Sequence, residues 1–193
     1  TGVSDMTPVK DQISFLKKMK DIKRLGHIYA SHEANAVTLA KMAKKACQEL
    51  GIEFVESTVT NSSEVKQAAQ SIAGRVDAFY LSTDNTVISA LAAVADVAKA
   101  NKLPIMSADP SSAEKYEVFA AWGFDYYKMG KATGKLIGRI LKGEKPESIP
   151  TIFMTDPSDV DLLINLDVAK RLGIKIPDDI VKKASRVVKD GKM

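Results

Sequence analysis

Two polar loops carry the side chains best suited to hold a small ligand. The first loop, residues 31–35, reads SHEAN, and the second, residues 82–86, reads STDNT. Each loop follows an apolar stretch typical of a buried strand and precedes an amphipathic stretch typical of a helix. At the start of a helix, carboxylate, amide and hydroxyl groups can cap the helix, and the backbone N–H groups can bind a ligand anion. Capping alone explains each residue singly, so a ligand site requires that the two loops meet.

Repeated strand–helix units would bring these loops together. Short apolar runs typical of buried strands lie at residues 24–30, 54–59, 78–81 and 104–109. Helical apolar spacing follows each of the first three runs. This alternation predicts an α/β fold with a doubly wound parallel sheet whose first four strands lie in the order 2-1-3-4. The first and third strands then meet at the switch point where open sheets bind ligands, so residues 31–35 and 83–85 are predicted to flank one crevice.

The residues that catalysis or metal binding would require are scarce. Cys47 is the single cysteine, it lies within an amphipathic stretch, and the chain has two histidines. The phosphate-binding patterns GxGxxG and GxxxxGK[ST] are absent. Carboxylates near strand ends would suit a magnesium site in a flavodoxin-like fold, and they are Asp84, Asp109 and Asp125. Because no nucleophile with its base and no phosphate loop accompany them, we predict no catalytic residues, no metal site and no cofactor.

Composition and charge exclude several classes of partner. The chain has 193 residues, of which 45% are hydrophobic and 27% charged, and its net charge is +4. The lysines are spread along helical faces and do not form a basic block with aromatics, so we expect no nucleic-acid partner. No apolar run approaches the roughly 20 residues needed to cross a bilayer, and the first residues lack the apolar core of a signal peptide. Residues 1–3 read like the end of a strand, and we therefore expect further sequence upstream.

The second half of the chain is less regular. Apolar patterns predict a strand at 118–124 and a helix at 126–141, with later strand candidates at 152–154 and 162–166 and a short basic helix from 177. Glycines repeat every four residues along the 126–141 helix, at Gly130, Gly134 and Gly138. Such a stripe favours close approach of another element. We expect tight packing there, and self-association of this chain is one way to provide it.

Several segments together resemble one family of transport proteins. They include TGVSDMTPVKDQ, TNSSEV, AGRVDAFYLSTDNTVISAL, GFDYYKMGKATGKLIGRILKGEKP and INLDVAKRLGIKIPDDI. In combination they resemble the substrate-binding proteins of ABC transporters of the tryptophan/tyrosine type, which have the periplasmic-binding-protein type I fold. The resemblance implies two α/β lobes joined by a hinge, with the ligand closed between them. It also implies an extracytoplasmic receptor, a periplasmic protein or a membrane-anchored lipoprotein, that serves the membrane permease of an importer.

The resemblance also assigns parts of the chain to lobes. GVSD lies where members of this family cross from the first lobe to the second, so the chain resembles the C-terminal two-thirds of a receptor and lacks most of the first lobe. Residues 1–120 are then the second ligand-binding lobe with the start of the hinge. Residues 121–193 hold the hinge return, a helix of the first lobe and a C-terminal tail whose placement stays open.

Site residues follow from both arguments. The crevice and the resemblance agree on Glu33, Ala34, Asn35, Thr83, Asp84 and Asn85, and the resemblance alone adds Asp109, Asp125 and Tyr126. The family label implies a small amino-acid-like ligand, an aromatic one by default. Helix N–H groups at residues 34–36 would bind its carboxylate, while Asp84 or Asp109 would neutralise its ammonium group. Tyr126 or Tyr116 would contact an aromatic ring.

Two other classes of protein share this kind of fold. The effector-binding core of a LacI-like transcription regulator has the same two lobes, and it requires an amino-terminal helix-turn-helix. A small phosphotransfer or flavin-binding domain would require a phosphate loop. Residues 110–116 also depart from the small, glycine-containing segment of many relatives, so the sequence leaves the exact ligand open.

Overall fold

The computed structural model describes residues 1–154 and 159–192, with Ser112 described by its backbone alone. The strands are β1 (Val3–Ser4), β2 (Arg24–Ala30), β3 (Glu53–Val59), β4 (Ala78–Leu81), β5 (Ile105–Ser107), β6 (Ala120–Phe124), β7 (Ile152–Phe153), β8 (Val160–Asn165) and β9 (Arg186–Val188). The helices are α1 (Val9–Met19), α2 (Ala34–Leu50), α3 (Val65–Ala73), α4 (Asn85–Ser89), α5 (Leu91–Ala100), α6 (Pro110–Ala113), α7 (Tyr126–Leu141), α8 (Leu166–Arg171) and α9 (Asp178–Lys183). Short 3₁₀ turns occur at Ser62–Glu64 and Pro146–Ser148.

One large sheet organises the described part of the chain. Its strand order is β3-β2-β4-β5-β6-β8-β9, which confirms the predicted 2-1-3-4 order of the first four strands and the α/β fold class. The four strands of that prediction are parallel to one another, and β6 and β8 are the one antiparallel pair among the described strands of this sheet. The cause is local. The chain leaves the sheet after Phe124 and returns beside it, where the Asp125 N–H donates to the Asp159 carbonyl at 3.0 Å, so β8 must run back along β6.

Helices cover both faces of this sheet, as a doubly wound fold requires. Side chains of α3 and α5 form one apolar cluster with sheet residues such as Phe79 and Leu81. Side chains of α1 and α2 form the other cluster, with Tyr80 and Met106 from the opposite face of the sheet. Every residue of β4 is buried, which explains why its sequence is a continuous apolar run. The C-terminal tail, which the sequence left unplaced, adds β8 and β9 to the same sheet.

Glycine is required at one point beside the strand ends. A Cβ added to Gly123 on β6 would lie 2.1 Å from the Ala108 carbonyl oxygen, a distance that no real side chain tolerates. The close approach holds the end of β6 against the loop that follows β5. It therefore fixes where the chain leaves the sheet toward α7.

A smaller unit lies apart from the large sheet. β1 pairs in parallel with β7, and α7 packs near β1. Helix α7 buries Met129 and Leu136 but leaves Ile137 and Leu141 exposed, at 52% and 82%. A Cβ added at any glycine of the stripe meets nothing within 4 Å, so tight packing on that stripe is not found within the described residues. Self-association through the glycine face of α7 stays a prediction. The division of the chain into two parts at residue 120 also stays a prediction.

No helix among the described residues is both long enough and apolar enough to cross a membrane.

Candidate functional site

A cavity of about 250 Å³ lies where the carboxyl ends of β2 and β4 meet the segment that joins β1 to α1. Its walls come from Asp5, Met6, Ala34, Asn35, Thr38, Leu39 and Thr83. The Asn35 side-chain amide donates to the Thr83 carbonyl at 3.1 Å, so the two polar loops do meet. The structure thus brings together three residues that the sequence selected, and it adds four more from α2 and the joining segment.

The N-terminus of α2 opens onto this cavity. Glu33 occupies the N-cap position, but its side chain makes no capping bond to α2. Within the described chain, the backbone N–H groups of Ala34, Asn35 and Ala36 have no hydrogen-bond acceptor. A 17-residue helix presents a partial positive charge at this end, and its first N–H groups are a ready anion site. A ligand carboxylate would satisfy donors that the chain leaves open.

The Glu33 side chain instead links the two loops. One carboxylate oxygen accepts from the Asn85 backbone N–H and side-chain amide, at 3.2 and 3.1 Å. The other accepts from the Thr86 N–H and hydroxyl, at 3.0 and 2.6 Å. Burial alone would raise the pKa of the Glu33 carboxyl, but the hydrogen bonds from Thr86 and Asn85 outweigh it and hold that pKa below its usual value. Glu33 therefore fixes α4 against the start of α2.

Asp84 is a second internal link. Only 1% of it is exposed. One oxygen accepts from the Val87 N–H at 2.9 Å and caps α4, and the other accepts from the Ala30 N–H at 2.7 Å at the end of β2. Burial raises the pKa of this carboxyl, and the backbone hydrogen bonds oppose that rise. Because backbone donors already occupy both oxygens, Asp84 is better suited to positioning the loops than to binding a ligand cation.

The described lining of the cavity includes none of the three residues that the resemblance added, Asp109, Asp125 and Tyr126. Asp125 accepts from the N–H groups of Tyr127 and Lys128 and so caps α7. Asp109 is 9% exposed, and one of its oxygens accepts from the Ser111 N–H and hydroxyl. Tyr126 is half-exposed; burial raises its pKa, and the negative charges of Asp109 and Asp5 raise it further. Tyr126, Asp109 and Asp5 are therefore close enough to interact.

Sequence reasoning missed Asp5, Met6, Thr38 and Leu39 as cavity residues. Asp5 ends the GVSD segment and Met6 follows it, and the sequence marks this segment only by its resemblance to a lobe crossing. Thr38 and Leu39 lie one turn into α2, on the side that faces the joining segment. Met6 is 49% exposed although it is a large apolar side chain, because it borders the cavity.

The cysteine and the buried histidine lie away from this cavity. Burial raises the pKa of the Cys47 thiol to about 12. Burial also lowers the pKa of the His27 imidazole to about 4, against a weaker opposing effect of its bond to the Tyr80 carbonyl. At neutral pH Cys47 stays a thiol and His27 stays uncharged. Among the described residues, no group of three His, Cys, Asp or Glu side chains has a metal-binding arrangement.

A second, larger cavity of about 590 Å³ lies between α7 and β7. Lys128, Lys131, Lys135 and Arg139 line its rim, and Leu136 and Ile152 contribute apolar surface. It lies away from the switch point of the sheet. We therefore assign the candidate site to the smaller cavity, where the strand ends, the open helix N-terminus and the polar loops coincide.

Known proteins resemble this chain over nearly its whole length. A tyrosine-binding protein of Clostridioides difficile is 30% identical over 184 residues, which are 94% of this chain and 52% of that protein. The structure of a conserved domain protein from Vibrio cholerae has 35% identity and a TM-score of 0.89, over 97% of this chain and 62% of that one. An ABC domain from Streptococcus pneumoniae in complex with L-Trp has 30% identity and a TM-score of 0.89, over 97% of this chain and 63% of that one.

The chain therefore spans about half the length of the curated relative it matches. A LacI-family regulator from Rhizobium etli has a TM-score of 0.61 at 16% identity, which shows a shared fold alone. The family of proteins described as ABC transporter substrate binding protein matches residues 1–188. The chain belongs to that family.

Proposed function

We propose that this protein is an extracytoplasmic receptor that binds an aromatic amino acid at the carboxyl ends of β2 and β4 and delivers it to the permease of an ABC importer. The observation that carries the proposal is the cavity at the open N-terminus of α2, in a chain 30% identical to a domain that was solved with L-Trp bound. Members of the family are extracytoplasmic substrate-binding proteins. Anchoring as a lipoprotein or free residence in a periplasm belongs to the proposal.

The chemistry of the cavity suits such a ligand. The N–H groups of residues 34–36 would hold the α-carboxylate without any charged side chain, as helix N-termini commonly do. The volume of about 250 Å³ lies below the range of roughly 300–1,000 Å³ typical for drug-sized ligands, and a single amino acid is smaller than those. Met6 lines the cavity, Tyr126 lies close enough to the cavity residue Asp5 to feel its charge, and both side chains are partly exposed. A thioether and a phenol ring both make favourable contacts with an aromatic ring.

Binding without turnover is part of the proposal, and the state of two reactive side chains supports it. The Cys47 thiol and the His27 imidazole are buried away from the cavity in their uncharged forms, so neither can act as nucleophile or base on a ligand there. The cavity walls offer amide, hydroxyl and carboxylate groups, which recognise a ligand by hydrogen bonds and charge. A ligand should leave the site chemically unchanged.

Isothermal titration calorimetry tests the proposal. The protein, expressed from its complete reading frame, is titrated with L-tryptophan, L-tyrosine and L-phenylalanine, and with L-leucine and D-ribose as controls. We expect saturable binding of at least one aromatic amino acid and weaker or no binding of the controls. Binding of ribose with no response to any aromatic amino acid would refute the proposal.

A further inference from the structure

We propose that Asp5 binds the ammonium group of the ligand and makes the site selective for amino acids over the same molecules without an amino group. The inference deepens the proposed function and rests on it. Asp5 lies in the segment that joins β1 to α1, and no sequence argument had selected it.

The position of Asp5 is the first reason. It lines the same cavity as Ala34 and Asn35, whose N–H groups form the open anion site. An α-amino acid carries its carboxylate and its ammonium group on one carbon atom, so a site for it requires an anion-binding and a cation-binding group a few ångströms apart. A cavity of about 250 Å³ with α2 on one wall and Asp5 on another meets this requirement.

The state of the other carboxylates is the second reason. Both oxygens of Glu33 accept from Asn85 and Thr86, and both oxygens of Asp84 accept from backbone N–H groups. Asp125 caps α7. Asp5 is exposed, and its carboxylate makes no hydrogen bond or ion pair within the described residues. Of the acids near the crevice, it is the one on a cavity wall whose charge is still available to a ligand.

The electrostatic surroundings agree with this assignment. Burial raises the pKa of Tyr126, and the charges of Asp109 and Asp5 raise it further, so these two carboxylates lie near its phenol and add negative potential on the side of Asp5. The N-terminus of α2, which also lines the cavity, carries a partial positive charge. This polarity would orient a zwitterion in one way only, with its ammonium group toward the joining segment.

A thermodynamic cycle between protein and ligand tests the inference. Wild type and Asp5→Asn, expressed from the complete reading frame, are titrated by calorimetry with L-tryptophan and with 3-indolepropionate, which is the same molecule without the amino group. We expect Asp5→Asn to weaken L-tryptophan binding by about 10- to 100-fold, because a charge-assisted hydrogen bond is lost. Binding of 3-indolepropionate should be unchanged or tighter, because an unpaired carboxylate no longer faces it. L-Tyrosine with its deaminated analogue serves as the second ligand pair if the calorimetric panel favours tyrosine.

Asp96→Asn is the matched control, since it removes the same charge from an exposed position on α5 away from the cavity. It should bind both ligands as wild type does. Equal losses for both ligands in Asp5→Asn, or no loss for either, would overturn the role of Asp5 while leaving the proposed function intact. If wild type binds no amino acid at all, the proposed function fails and the inference fails with it.

Discussion

Two regions border the cavity, and they differ in whether their carboxylate oxygens accept hydrogen bonds from the protein. In the loops after β2 and β4, Glu33 and Asp84 are saturated with hydrogen bonds from the backbone and side chains of α4 and from the end of β2. In the segment between β1 and α1, Asp5 has no hydrogen bond or ion pair among the described residues. Both regions carry acidic side chains. The difference is whether nearby groups of the protein already donate hydrogen bonds to the carboxylate oxygens.

This difference separates positioning from binding. A carboxylate whose oxygens are occupied holds two elements in register, and that makes one wall of the cavity rigid before any ligand arrives. Such pre-organisation reduces the entropy lost on binding. A carboxylate that is left open can supply charge to the ligand instead. The two kinds of acid should therefore respond differently to substitution, in stability for the first and in affinity for the second.

The largest effect on stability is expected for Asp84→Ala. The substitution leaves the buried N–H groups of Ala30 and Val87 without acceptors, and it should lower the free energy of unfolding by about 2 kcal/mol. Asn35→Ala is the matched control, because Asn35 is exposed and makes one side-chain hydrogen bond across the same crevice. It should change the free energy of unfolding by less than about 0.5 kcal/mol. Urea unfolding followed by circular dichroism measures both, and equal midpoints for the two variants would contradict the positioning role of Asp84.

A smaller and pH-dependent effect is expected for Glu33→Gln. The folded state holds the pKa of Glu33 below its usual value, so the carboxylate stabilises the fold above that usual value and the contribution is lost as the pH falls through the folded pKa. The variant should be less stable than wild type by about 1 kcal/mol at pH 7, and the difference should shrink below pH 4. Urea unfolding midpoints of wild type and variant, recorded at pH 7 and below pH 4, measure this difference in stability. A difference that stays constant with pH would mean that the charge of Glu33 contributes nothing to the link between the loops.

Local patterns predicted much of this fold for a physical reason. Strand–helix units of ordinary length can form a sheet in few ways, so the order of the first four strands and the meeting of residues 31–35 with 83–85 could be inferred from periodicity. The antiparallel position of β8 could not, because it depends on where the chain returns from α7 and β7. That return is set by contacts between residues far apart in sequence, such as Asp125 and Asp159.

The site was predictable in part. Helix starts at Ala34 and Asn85 indicated the wall of the cavity, because capping residues follow buried strands there. The sequence could not tell that Glu33 caps α4 and not its own helix, since both choices satisfy local geometry and only the packing of the two loops decides. Asp5 was missed because it follows a two-residue strand whose partner, β7, lies about 150 residues later, at Ile152 and Phe153. Nothing in its immediate neighbours marks it as part of a crevice.

We propose that an amino acid binds at the open N-terminus of α2. Backbone amide NMR of the protein, expressed from its complete reading frame and titrated with L-tryptophan, tests this most directly, because an N–H that donates to a carboxylate shifts strongly. We expect the largest changes at Ala34, Asn35 and Ala36, with little change at the basic residues that line the cavity between α7 and β7. Large changes at Lys131, Lys135 and Arg139 with no change at residues 34–36 would place the ligand in the other cavity and refute a site at α2.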